Sequence, residues 1–327
     1  MKRIIFLICG LVLGFSMEAQ DRAAMKNYES QLNALFERVV SAPTDNERYN
    51  ANEEVVQLMG EALEMDDSFK WNWSFGNHVS VLTSPDKKFR IFTWHVVNDM
   101  GEYECFGYVQ AYDEKEENYI SYVLNDKSDE IVNVEESLLS PDRWLGAVYQ
   151  QIIQTSFEGK NYYTLLGWTG CNPLMQRKVI EPVMFKNGSS QPQFGQALFR
   201  REKNLRRIVL QYSSKAMVTL DYSTQVIQQV TAKRVKKGSG KTARMVTVKE
   251  LHDSPELMII FDEVAPQIPG MDGLFQYYVP TGTELAYVFV NGRWELRDNA
   301  QGRVPDERLN KEFAPIEKPD PAYKTKN

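Results

Sequence analysis

The chain has 327 residues, 43% of them hydrophobic and 12% aromatic, and a net charge of −6. A chain of this size buries a substantial core without covalent staples, so composition excludes both a disordered polymer and a disulfide-built miniprotein. No stretch approaches 18 uninterrupted apolar residues, which excludes a conventional helical membrane span.

The chain opens MKRIIFLICGLVLGFSMEAQ. Lys2 and Arg3 form a positive start, Ile4 to Phe15 an apolar run, and small and polar residues follow, with cleavage expected after Ala19. Residues 1–19 therefore read as a secretory signal peptide. The mature chain is expected to be exported: periplasmic, cell-surface or secreted. Cys9 does not make this a lipoprotein signal, because Phe6-Leu7-Ile8 before it lacks the small residue required. Removal of Lys2, Arg3 and Glu18 leaves a net charge of −7 and two cysteines, Cys105 and Cys171. In an oxidising compartment these two can pair, and the long loop so closed is worth roughly 4–5 kcal/mol if the geometry permits. Two cysteines are not a disulfide framework, however, and buried free thiols are common.

Residues 20–68 read as a helical hairpin. "NYESQLNALFERVV" places Leu32, Leu35, Phe36 and Val39 at helical spacing. After Ala42-Pro43, Thr44 and Glu47 stand at capping-box spacing before Val55, Val56, Leu58, Met59 and Leu63. "WNWSF" then puts Trp71, Trp73 and Phe75 on one side of an extended segment. The rings form either a platform for a sugar or the seal between helices and sheet.

From residue 69 to residue 304 the period changes to two. "FRIFTWHVV", "EYECFGYVQAY", "NYISYVL", "NYYTLLGW", "KVIEPVMF", "RRIVLQYS", "LMIIFDEV" and "LAYVFV" read as strands, separated by turns such as Pro85-Asp86 and Glu158-Gly159. No helix-length segment intervenes, so the body is expected to be mainly β and antiparallel, preceded by the pair of α-helices. "SPDKKFRIFTW" (84–94) and "SFEGKNYYTLLGW" (156–168) share a Ser, an acidic turn and a closing Trp. Each is preceded by one strand and followed by two. Such four-strand meanders are propeller-like, with a large barrel or sandwich as the alternative. Residues 305–327 form a Pro- and Lys-rich tail.

The segments "YYTLLGWTGCNPLMQRKVIEPVMF", "FGQALF", "IVLQYSSKAMVTLDY", "MIIFDEVAP" and "VNGRWEL" together resemble a family of uncharacterised exported bacterial all-β proteins. The resemblance covers roughly residues 75–300. It implies a shared fold and export, and carries no catalytic residue or ligand. Where that family passes quickly from "TLDY" to "MIIFDEV", this chain inserts most of residues 223–256, a basic segment.

GSGKT lies inside that insertion and looks like the end of a phosphate-binding loop. The motif needs a glycine five residues before Gly240, and Val235 stands there. Its lead-in "AKRVKK" is too charged for a buried strand, and "ARMVTVKEL" after it alternates like a strand, not a helix. Nucleotide binding is therefore not expected, and export argues against nucleic acid as a partner.

Catalytic signatures are scarce: no GxSxG, HExxH or CxxC occurs, and the mature chain has only His78, His95 and His252. If "LTSPDKKFRI" is a hairpin of two or four loop residues, Leu82 faces Ile91 and His78 faces His95. Two imidazoles so placed can share a metal with Glu102 or Glu104, and a shifted register destroys the pairing. No other cofactor is expected.

Charge is the sharpest remaining feature. Residues 99–142 hold 13 acidic and 2 basic side chains, and residues 200–249 hold 13 basic and 2 acidic. Arg200, Arg201, Arg206, Arg207, Lys236, Lys237, Lys241 and Arg244 are the candidate anion-binding residues. The expected function is a non-enzymatic exported binding or envelope-associated module engaging an anionic envelope component or an acidic protein. The alternative is a hydrolase acting on an envelope or host polymer.

Overall fold

The computed structural model describes residues 2–186, 188–200, 204–237 and 244–297, with side chains outside 2–19, 227–232, 236 and 249–253. The tail read at 305–327 lies outside the described residues. Two helices come first, α1 (Lys2–Ser41) and α2 (Asp45–Glu64). Thr44 caps α2 as its spacing predicts: its Oγ1 accepts the Glu47 N–H at 3.3 Å and donates to the Glu47 carboxylate at 2.8 Å. No described helix is long and apolar enough to cross a membrane.

Among the described residues, nine strands follow in two antiparallel sheets. The first holds β1 (Ser80–Thr83), β2 (Phe89–Val97), β3 (Tyr103–Asp113) and β4 (Asn118–Asn125) in sequence order. The second orders β5 (Val148–Phe157), β6 (Lys160–Asn172), β7 (Met175–Phe185) and β8 (Pro192–Phe194), with β9 (Ile208–Ser213) also on β7. The repeat seen in the sequence is the opening hairpin of each sheet, β1–β2 and β5–β6.

Burial explains why "FRIFTWHVV" is apolar almost throughout. One face of β2, with Phe89 and Ile91, packs with Cys105 and Val109 of β3 against Tyr149, Tyr163, Leu165 and Val179 of the second sheet. Its other face, with Phe92, Trp94 and Val96, packs against Leu32, Phe36 and Val39 of α1 and Val55 and Met59 of α2. A strand buried on both faces loses the polar half of its alternation. Trp73 and Phe75 lie in the same helix–sheet cluster, so "WNWSF" is the seal and not a sugar platform. Each fully buried side chain of this size contributes roughly 1.5–3 kcal/mol.

The layers are thus helices, sheet and sheet. The two sheets face each other and no barrel closes among the described residues, so the sandwich, the alternative to the propeller, is the arrangement that fits.

A third antiparallel sheet orders β10 (Leu220–Lys237), β11 (Arg244–Pro266), β12 (Tyr278–Val290) and β13 (Arg293–Arg297). The stretch read as a single β domain, 69–304, divides into two compact units. One contains residues up to Val218 with Val264–Pro280 and Asn291–Arg293; the other is built on Thr219–Glu263 and Thr281–Val290. The second unit has its own cluster, Met258, Ile260, Ala286 and Val288.

Two carboxylates brace turns of the first unit. Asp113 Oδ2 accepts from the Ser190 hydroxyl at 2.8 Å and the Ser190 N–H at 3.0 Å, while Oδ1 accepts the Lys115 N–H at 3.0 Å. These bonds, the Ser190 hydroxyl foremost, lower the Asp113 carboxyl from 3.8 to about 2. At Asp86 burial pushes the carboxyl up, but donors from Tyr163, Ser84, the Lys88 N–H and Asn161 outweigh it and the net shift is downward. As pH falls from 3.8 the unfolded chain takes up these protons first, so the stability they supply above that range is lost toward pH 2. The melting temperature is expected to drop over this interval. Asp113→Asn should lower it at pH 7 and flatten the acid limb; an unaltered limb would assign the acid loss to other groups.

Candidate functional site

The insertion is a long antiparallel strand pair. β10 pairs with β11 without a break from Leu220↔Phe261 to Lys237↔Arg244. The pleat sets Lys233, Val235 and Lys237 on one face with their partners Val248, Val246 and Arg244, and Arg234 with Thr247 on the other. Lys233, Arg234, Lys237 and Arg244 are all exposed. Residues 233–248 contain six basic and no acidic side chains. Lys237 and Arg244 stand directly opposite each other, an arrangement that costs stability unless an anion lies between them. The ribbon is therefore a preformed cationic strand pair, with Met245 and Val248 exposed beside the charges.

The other proposed cations fare differently. Arg207 is fully buried: Nε donates to Glu181 Oε1 at 2.7 Å, Nη1 to the Val134 and Ser137 carbonyls and Nη2 to the Phe194 carbonyl. It has no face left for a ligand and is a structural cation, not an anion-binding residue. Arg206 is half-buried and donates to the Gly195 carbonyl at 3.0 Å, a structural contact. Arg200 is exposed but engaged. Arg201 and Lys241 lie outside the described residues, as does the Lys236 side chain.

The predicted hairpin register is observed, with Leu82↔Ile91 and Ser80↔Thr93, but the ladder stops at Ser80. His78 lies before it, in a turn where its N–H bonds the Phe75 carbonyl, and its Nε2 sits 3.1 Å from Glu37 Oε1 on α1. His95 pairs with Cys105 across β2–β3, and its ring packs against Tyr103 and Trp168. Burial lowers its pKa. The His78–His95 pair is not formed, and no cluster of metal-ligating residues occurs among the described residues.

Cys105 and Cys171 are both free thiols, the unbridged one of the two states open to them from sequence. Cys105 Sγ donates to Thr169 Oγ1 at 3.6 Å and Cys171 Sγ to the Thr169 carbonyl at 3.9 Å. Burial pushes the Cys105 thiol up to about 12 and raises that of Cys171, so neither is a ready nucleophile at neutral pH.

Cys171 borders a cleft of about 560 Å³ that sequence reasoning missed. Tyr49 of α2, Glu104 of β3, Asp126 after β4 and Arg177 of β7 meet there. Asp126 is committed to the backbone, accepting from the N–H groups of Cys105 at 3.1 Å and Ser128 at 2.9 Å. Burial, helped by the Asp126 charge, raises Glu104, and Tyr49 hydrogen-bonds it. Burial and Glu104 in turn raise Tyr49 to about 12. The arrangement favours the neutral form of Glu104 more than water does and offers hydrogen-bonding groups to a polar ligand. The Ser128 hydroxyl in its wall donates to Asp126 Oδ1 and accepts from Arg177 Nη2 at 3.1 Å. Its residues come from separate segments; the sequence singled out Glu102, Glu104 and Cys171 among them but did not bring them together.

No protein-family model, curated protein or solved structure matches the chain, so the reading of both sites rests on their own geometry.

Proposed function

We propose that the chain is an exported, non-enzymatic binding module whose β10–β11 ribbon engages an anionic envelope polymer. The observation that carries this reading is the ribbon's chemistry. Four described cations lie exposed on a continuous ladder, two of them directly opposed, with no acidic side chain from 233 to 248. A ladder fixes their spacing in advance, so little entropy is lost when a polyanion settles on them. Long-range attraction would speed the encounter and salt would weaken it, since exposed charges are screened beyond about 8–10 Å at physiological ionic strength.

The test is retention of the mature chain on dextran sulfate. Wild type is expected to bind at low salt and elute as salt rises. The variant carrying Lys233→Gln, Arg234→Gln, Lys237→Gln and Arg244→Gln should bind at least about tenfold more weakly, with stability changed by roughly 0.5 kcal/mol or less per surface site. Equal retention of the two proteins would remove the ribbon as the binding element.

A further inference from the structure

A second site lies where the second sheet opens. The β6–β7 ladder runs as far as Tyr163↔Val183 and stops there. Beyond it, Lys160, Asn161 and Tyr162 stay paired to β5, and Met184 and Phe185 to β8. The two strands therefore part while each keeps its outer neighbour, and a cleft of about 640 Å³ lies between them.

The walls have a distinct chemistry. Tyr162 and Phe185 are half-buried and line the cleft, Phe185 with its ring also packed 5.1 Å from that of Phe89. Lys160 and Lys186 stand exposed on opposite lips, and neither has a carboxylate in ion-pair reach among the described residues. The nearest acid in the lining, Glu114, is 3.7 Å from Lys88 and thus already has a cation. Gln196 adds an amide. Both lysines line the cleft from opposite strands, so an anion entering the gap meets two ammonium groups that hold no carboxylate among the described residues. Ring faces beside amide groups suit the C–H face and hydroxyls of a sugar.

We propose that this cleft binds an acidic saccharide, its carboxylate between Lys160 and Lys186 and a sugar face on Tyr162. The site belongs to the first unit and does not depend on the ribbon, so the test uses the ribbon-neutralised chain as background. Calorimetric titration with a galacturonate oligomer should show binding, and a neutral galactose oligomer should not bind. Lys160→Gln with Lys186→Gln should weaken binding roughly tenfold or more, the scale of one lost charge-assisted hydrogen bond. Tyr162→Ala should weaken it separately, with both variants retaining the wild-type far-ultraviolet circular dichroism. Absence of galacturonate binding overturns the proposal, as does undiminished binding by the double lysine variant. Inorganic phosphate binding as tightly as the oligomer, with Tyr162→Ala neutral, would overturn the saccharide assignment and leave a simple anion site.

Discussion

Arg207→Ala is expected to cost about 3–5 kcal/mol of stability, enough to unfold the first unit under mild denaturant. Arg207 and Glu181 are both fully buried and joined at 2.7 Å. Glu181 Oε2 also accepts from the Tyr149 hydroxyl, which in turn accepts from Trp144 Nε1 at 2.9 Å. Burial and the neighbouring carboxylate raise the Tyr149 pKa well above its ordinary value, so it stays a donor. Removing the guanidinium strands the Glu181 charge and leaves the Val134, Ser137 and Phe194 carbonyls without that donor. Gly195 shows how closely the site is fitted: at φ 92° its added Cβ would lie 2.5 Å from Arg207 Nη2. Glu181→Gln should be nearly as damaging, because it strands the guanidinium instead. Replacing both by apolar residues removes the stranded charge and should cost less than either single change, the remaining loss being that of the three carbonyls and the Tyr149 hydroxyl. Urea denaturation with an unchanged slope measures all three, and a loss under about 1 kcal/mol for Arg207→Ala would contradict the assignment.

Phe36→Ala is expected to cost about 3–5 kcal/mol, the range for emptying a buried aromatic position. Phe36 is 1% exposed on α1, with its ring centroid 5.4 Å from that of Phe75 and 5.6 Å from that of Trp94. Trp94 is held in turn by Asn52 of α2, which accepts its Nε1–H at 2.7 Å. The substitution should release the helical hairpin from the sheet, exposing the Trp94 indole. A red shift of tryptophan emission with the lower melting temperature would register it. A folded, blue-emitting variant of unaltered stability would mean that the helices contribute little to the first unit.

The fold was legible where one physical signal dominates. Thr44 and Glu47 marked a helix start, alternation and turn residues marked the strands, and even the β1–β2 register followed from hairpin geometry. Where a strand stops is less local: Ser80 ends the ladder because the chain turns at Phe75–His78, within reach of α1, and no spacing rule contains that. Charge misled in one place. "RREKNLRR" reads as one basic patch, yet Arg207 lies beneath the surface. Its partner was visible all the same, since Glu181 is the lone acid in the apolar run "KVIEPVMF" and a buried carboxylate requires a cation. The two clefts were illegible because each is made of residues distant in the chain, and nothing in a charge count says which of them meet.

The unbroken pairing of β10 with β11 makes the ribbon's reach an adjustable length. Every pair satisfies the same residue-number sum, so the ladder has no irregularity at which a change of length would be caught. Excising two residues from each strand would draw the Lys237–Arg244 end in by about 7 Å and keep every side chain on its face. Excising one from each would draw it in by about half that distance and turn the cationic faces over. Lengthening in the same steps would set the charges farther out without asking anything of the rest of the chain.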